Sequence, residues 1–199
     1  SRNLASGEAI ARQILYTKQY FKEKFGIGYD EIVIDWEPDT FGHAWTVPQI
    51  LRKAGIRHYY FCRCGKGPLL FWWQGPDGSR VLANNRGWYN GDINPQHALE
   101  LFQHEKDTRM KDYMIVYGVG DHGGGPTREH LNMAKEMQTW PVFPKVKFST
   151  TREFFKITEE YGDYLPVINE ELNFKFRGCY TSQSEIKKAN RFGENLMGR

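Results

Sequence analysis

The stretch Trp36-Glu37-Pro38-Asp39-Thr40-Phe41-Gly42-His43 constrains this chain more than any other, because of what flanks it. Before it, Glu31-Ile32-Val33-Ile34-Asp35 is rich in β-branched residues and predicts a strand over Ile32–Trp36. After it, Ala44 to Ala54 carries apolar Val47, Ile50 and Leu51 at helical spacing. An aspartate and a histidine therefore stand in a strand-to-helix connection. In a parallel α/β sheet that is the carboxyl end of a strand, where such folds carry their chemistry. The pattern also suits an aspartate that caps the next helix, with the histidine bonded nearby. Local pattern alone leaves both readings open.

The rest of the chain alternates in the same manner. Helical spacing runs from Gly7 to Phe25, with Gly26 and Gly28 as stop signals. Strands are predicted over Ile56–Phe61, Leu69–Trp73 and Arg80–Asn84, the last two joined as a hairpin by Gly75-Pro76-Asp77-Gly78. Helix Pro95–Lys106, a buried strand Tyr113–Tyr117, helix Thr127–Thr139, a short strand Val146–Phe148 and a helix from Thr150 or Thr151 to Tyr161 follow. Tyr180 to Met197 is strongly helical. Strand and helix in alternation predict an α/β fold with a largely parallel sheet. At 199 residues there is enough chain for one α/β domain with a real core.

Composition excludes several classes of function. A net charge of +3, with the positive residues interleaved among acids as in Lys22-Glu23-Lys24, implies neither a nucleic-acid nor a membrane-surface partner. Mean hydropathy of -0.66 suits a soluble chain, and no apolar run approaches the roughly 18 residues of a membrane span. Three cysteines do not make an even disulfide set. Cys62-Arg63-Cys64 is spaced too tightly for the usual zinc pair, so free thiols are expected, which leans toward a reducing compartment and a cytoplasmic location. No signal peptide is expected. The start at Ser1-Arg2-Asn3 and the end after a helical run read as an internal piece of something longer. The six tryptophans are many for this length; core packing accounts for most, while sugar-binding clefts also use aromatic faces.

Trp36 to Ile56 resembles the segment around the catalytic nucleophile of glycoside hydrolase family 38, the metal-dependent α-mannosidases. That family reads Trp-x-Pro-Asp-x-Phe-Gly, then a helix ending in Pro-Gln-Ile-Leu-x-Lys-x-Gly, and Pro48-Gln49-Ile50-Leu51-Arg52-Lys53-Ala54-Gly55 fits it. Later pieces match in the same order: Phe71-Trp72-Trp73-Gln74-Gly75-Pro76-Asp77-Gly78-Ser79, Gly118-Val119-Gly120-Asp121-His122-Gly123-Gly124-Gly125-Pro126-Thr127, and Arg177-Gly178-Cys179-Tyr180-Thr181-Ser182-Gln183. The resemblance implies that residues 1–179 are part of the α/β catalytic domain, as a mostly parallel sheet or incomplete (β/α) barrel. Residues 180–199 would then be the first helix of a following helical domain or bundle.

The resemblance also implies roles. Asp39 is assigned the nucleophile of a retaining glycosidase, the carboxylate that attacks the anomeric carbon, and in the family it also touches a divalent metal. His43 is expected beside the site rather than on the metal. The acid/base falls in Asn169-Glu170-Glu171-Leu172, where the family has Gly-Glu-Leu or Gly-Asp. Glu171 matches that acid, and Glu170 stands in place of the glycine and is its rival; two surface glutamates at a strand start is the plain alternative. Trp36, His43, Asp121, His122, Arg177 and Tyr180 are candidates to contact substrate. The triglycine loop Gly123–Gly125 ahead of a helix is also a ready anion cradle, without the lysine of a Walker A loop. Arg177 and Tyr180 equally suit a turn that caps the last helix.

The family's metal site needs a His-x-Asp pair on an earlier strand and a distant histidine. This sequence contains no His-x-Asp, so zinc or a similar divalent ion such as cobalt would be held mainly by ligands outside the chain, and the fragment alone is expected to be inactive. The implied partner is a mannoside or mannose-containing oligosaccharide, with no nucleic acid or membrane; a homo-oligomer is left open. Two other functions compete: a non-catalytic carbohydrate-binding relative, and a phosphate- or nucleotide-binding domain built on the triglycine loop.

Overall fold

A computed structural model describes residues 3–85, 89–173 and 175–197. They fall into two compact units, the first made of Ser1–Asn85 with Pro166–Arg199 and the second of Arg86–Leu165.

The first unit is built on five strands: β1 (Ile34–Glu37), β2 (His58–Phe61), β3 (Leu70–Gln74), β4 (Arg80–Asn84) and β5 (Val167–Ile168). Their order is β1-β2-β4-β3-β5, an open sheet with β1 and β5 at its edges rather than a closed barrel. Neighbours run parallel except β3 and β4, the predicted hairpin, which pair antiparallel around Gly75–Gly78. All four residues of β2 are buried, as expected for a parallel strand covered on both faces. The register sets Glu37 opposite Phe61, so the chains leaving β1 and β2 emerge side by side.

Helices α1 (Gly7–Phe25) and α2 (Val47–Lys53) belong to this unit. Ser6 caps α1 by accepting the Ala9 N–H at 3.1 Å, and Gly26 ends it in the left-handed conformation, where a glycine carries no Cβ penalty. Ile10 and Ile14 of α1 join Val47 and Leu51 of α2 against Tyr59, Phe61, Phe71, Trp73, Val81 and Leu172. Tyr59, Phe61, Phe71 and Trp73 are fully buried, whereas Trp36 and Trp45 are 41% and 40% exposed, so core packing takes only part of the aromatic content. The short α6 (Gly178–Thr181) and α7 (Ser184–Met197) complete the unit; Glu194 of α7 accepts from the Ser6 N–H at 3.1 Å.

The second unit holds α3 (His97–Thr108), α4 (Arg128–Met137) and α5 (Thr151–Glu159). Thr150 and Glu153 form a reciprocal capping box at the start of α5. A small core gathers Ile93, Ala134 and Met137 with Tyr117, Trp140, Phe143 and Val146 around them. Two sequence expectations fail in this unit, since Tyr113–Tyr117 and Val146–Phe148 form no strand. Among the described residues the backbone pairing nearby is a single bridge, Gly91 with Gly118. A short apolar run reads as a buried strand, but a strand exists only where a neighbour supplies a hydrogen-bonding ladder. Here the side chains pack into local clusters instead, Tyr117 against His130 and Phe148. No helix among the described residues is long and apolar enough to cross a membrane.

Candidate active site

Asp39 lies two residues past the carboxyl end of β1, in the connection to α2. Its side chain is 49% exposed and forms an ion pair with Arg63, whose Nε donates to Oδ1. The register explains the pairing: Arg63 stands two residues past β2, level with Asp39 because Glu37 and Phe61 are partners. The guanidinium is seated over the Phe41 ring at 4.8 Å and near Phe176 at 6.0 Å. Such cation–π seating fixes a planar cation. An ion pair this exposed contributes little to stability, on the order of 0–1 kcal/mol; what it does is hold the carboxylate in one orientation.

The loop carrying Asp39 is anchored along its length. Thr40 donates its hydroxyl to Glu37, and the Phe41 N–H donates to the hydroxyl of Tyr180 at 3.0 Å. Gly42 takes a φ of 141°, and a Cβ there would meet Asn173 Oδ1 at 2.2 Å. Gly42→Ala is therefore expected to cost at least about 1–3 kcal/mol from the backbone alone, read as a lower denaturant midpoint. A midpoint unchanged from wild type would mean that the loop relaxes freely.

His43 is fully buried. Its Nδ1 lies 2.7 Å from the Tyr59 hydroxyl and its Nε2 3.1 Å from the Arg63 carbonyl oxygen. Its N–H and C=O exchange hydrogen bonds with Leu172 at 2.9 and 3.0 Å. A ring so enclosed is not presented to a ligand, so its direct substrate contact, expected from sequence, gives way to a role through its neighbours. Burial is the cause: an imidazole on the core face of a loop must satisfy both nitrogens within the protein.

The His43–Leu172 pair brings the Glu170-Glu171 segment to the Asp39 loop. The two segments leave the sheet from opposite strand ends, because β5 runs parallel to β3 and therefore against β1; they meet at this backbone pair. Glu170 has structural partners, Lys66 Nζ at 2.6 Å from its carboxylate and the buried Trp73 indole donating to its carbonyl at 2.9 Å. Glu171 is exposed beside the buried Leu172.

The remaining candidates divide between the units. Trp36 is stacked on Tyr60, with ring centroids 3.9 Å apart and planes at 9°, and keeps 41% of its surface exposed. Arg177 is exposed, and its carbonyl accepts from the Tyr180 N–H at 3.1 Å and from the Thr181 hydroxyl at 2.9 Å at the start of α6. Tyr180 touches the Asp39 loop directly through Phe41. Asp121 and His122 belong to the second unit, where both are exposed and pair with each other at 3.4 Å.

None of the three thiols is in a disulfide. Burial raises the pKa of Cys62 and of Cys64, which keeps both in the unreactive thiol form. Among the described residues no three His, Cys, Asp or Glu side chains come together to hold a metal ion. Asp39 offers one carboxylate, already bound to a guanidinium, so these residues do not fit a complete divalent-metal site. Arg63 is the residue that sequence reasoning missed. The equal offset of Asp39 and Arg63 holds only for the observed strands, which end at Glu37 and Phe61; the predicted first strand stops at Trp36 and puts the two residues out of level by one.

Against known proteins, the model of the glycosyl hydrolases family 38 N-terminal domain matches residues 1–171. Alpha-mannosidase G of Dictyostelium discoideum is 35% identical over 96% of this chain and 18% of its own length. Human alpha-mannosidase 2C1 is 32% identical over 98% of this chain and 19% of its own length. A crystal structure of an alpha-mannosidase from Enterococcus faecalis V583 superposes with a TM-score of 0.63 over 86% of this chain and 21% of that one, at 22% identity, which speaks for the fold. The chain thus spans about a fifth of the relatives it matches. With residues 1–171 covered by the family model, this chain belongs to glycosyl hydrolase family 38 as part of its N-terminal domain.

Proposed function

We propose that the whole protein hydrolyses terminal α-mannosides with retention of configuration, through a covalent mannosyl–Asp39 intermediate. The observation that carries the reading is the Arg63-held, half-exposed carboxylate of Asp39 just beyond a parallel strand, tied through His43–Leu172 to the segment bearing Glu171. In the first step Asp39 attacks the anomeric carbon while the Glu171 carboxyl gives its proton to the departing glycosidic oxygen, whose bond to that carbon breaks. In the second, the Glu171 carboxylate takes a proton from water, which attacks the same carbon and releases Asp39. Glu171 is preferred over Glu170 because the Glu170 carboxylate already pairs with Lys66.

Trp36, with its partly exposed indole, is assigned to the apolar face of the sugar. Arg177 and Tyr180 are assigned to its hydroxyls. A zinc or cobalt ion would take Asp39 as one ligand and find the others beyond these 199 residues; the steps above use only this chain's own groups. The free thiols accord with a cytoplasmic protein.

The test uses the full-length protein and two classes of substrate. Replacing the true acid slows substrates with poor leaving groups by about 10²–10⁴-fold, and activated aryl mannosides far less, since these need little protonation. Glu171→Ala is expected to show that split and Glu170→Ala to lack it. The reverse result moves the acid by one residue, and equal slowing of both classes by both variants places it elsewhere. In the active protein the Asp39 and Glu171 carboxyl groups should stand about 5–5.5 Å apart, the spacing of retaining enzymes.

A further inference from the structure

We infer that His43 is a positioning residue that orients the nucleophile through Arg63, an inference that rests on the assignment of Asp39 above. A buried imidazole is tolerated in a core only when both nitrogens are bonded, and that requirement alone would make His43 a structural residue. What sets it apart is where its bonds go. The Arg63 carbonyl oxygen can only accept, so Nε2, at 3.1 Å from it, carries the ring proton. Nδ1 is then the acceptor, and the Tyr59 hydroxyl at 2.7 Å donates to it. The tautomer is thus set by two fixed partners, and rotation is blocked by the rings of Phe61 and Trp73, 4.7 and 6.2 Å away.

The residue that receives the Nε2 proton is the one whose guanidinium holds Asp39. Arg63 sits past the end of β2, beyond the reach of the β1–β2 ladder, which stops at Glu37–Phe61. Its backbone is held at that point by the His43 ring, and its side chain by the Phe41 and Phe176 rings and the Asp39 carboxylate. The chain Tyr59–His43–Arg63–Asp39 therefore links a buried strand residue to the attacking oxygen. On the far side of the same histidine, the backbone pair with Leu172 and the Trp73 bond to Glu170 fix both neighbours of Glu171.

The experiment is a double-mutant cycle in the full-length protein on an aryl α-mannoside, with His43→Asn and Arg63→Ala. Asn loses the bond to the Arg63 carbonyl, while His43→Gln can place an amide N–H near the Nε2 position. His43→Asn is expected to lower kcat by about 10²-fold, the usual result of misplacing a reacting group by an ångström, with KM nearly unchanged, and His43→Gln is expected to recover most of the loss. Because His43 acts through Arg63, the double variant should be no slower than Arg63→Ala alone, a coupling that a space-filling role would not produce. If the two losses multiply instead, the inference is overturned. Should His43→Asn fail to fold, Tyr59→Phe removes a single hydroxyl and leaves the ring; its loss of kcat must likewise vanish in the Arg63→Ala background. Asp39→Asn run alongside separates the two levels. An active Asp39→Asn overturns the nucleophile assignment itself, whereas an inactive one with multiplying losses overturns only the role of His43.

Discussion

Asp39→Asn in the full-length protein is expected to lower kcat on an aryl α-mannoside by about 10⁴-fold or more, the scale seen when a member of a covalent catalytic unit is removed. The amide has nearly the shape of the carboxylate, so the loop keeps its anchors at Thr40 and Phe41. It lacks the negative charge needed to attack the anomeric carbon and to match the Arg63 guanidinium. Because the side chain is half exposed, losing its charge should leave the melting temperature within a few degrees of wild type. Steady-state rates and a thermal melt on the same sample decide the matter. Turnover within a few-fold of wild type would remove Asp39 from the chemistry.

The second large effect is on stability. Trp73 is fully buried in β3, packs against Tyr59 at 5.2 Å, and donates its indole N–H to the Glu170 carbonyl at 2.9 Å. Trp73→Ala should cost about 3–5 kcal/mol for the cavity, with the carbonyl partner lost in addition. Trp73→Phe keeps most of the apolar volume and should cost substantially less. Chemical denaturation monitored by circular dichroism measures both. Equal losses for the two variants would mean that the hydrogen bond rather than the packing holds Trp73 in place, and no loss from Ala would contradict its burial.

Much of the sheet was legible from the residues alone, for physical reasons. The hairpin turn at Gly75–Gly78 and the helical spacing of Val47, Ile50 and Leu51 are local signals that local geometry obeys, while the strand predicted over Ile32–Trp36 forms further along, at Ile34–Glu37. Tyr113–Tyr117 was misread because whether an apolar run becomes a strand is decided by a neighbour elsewhere in the chain. The place of Asp39 between a strand and a helix was legible from the same local signals. The burial of His43 was not, since it depends on Tyr59, Trp73 and Leu172 closing around the ring. Arg63 lay between: its level with Asp39 follows from the observed register of Glu37 with Phe61, one residue off the predicted strand ends. Glu171 is preferred to Glu170 from the sequence alone; what the sequence does not show is that Lys66 pairs with the Glu170 carboxylate.

The first unit is discontinuous: Arg86–Leu165 is spliced into it, and the Phe41 to Tyr180 bond joins residues 139 positions apart. The entropy of closing a loop rises only with the logarithm of its length, about 0.6 kcal/mol per doubling. The inserted segment can therefore lengthen, shorten or diverge at small thermodynamic cost to the contacts at its base. Speed is what suffers, because contacts so distant in sequence form late in folding. The Asp39 loop and the Glu171 segment are made far apart in time on the ribosome, and the first must wait, without its partner, until the residues that follow Leu165 are made.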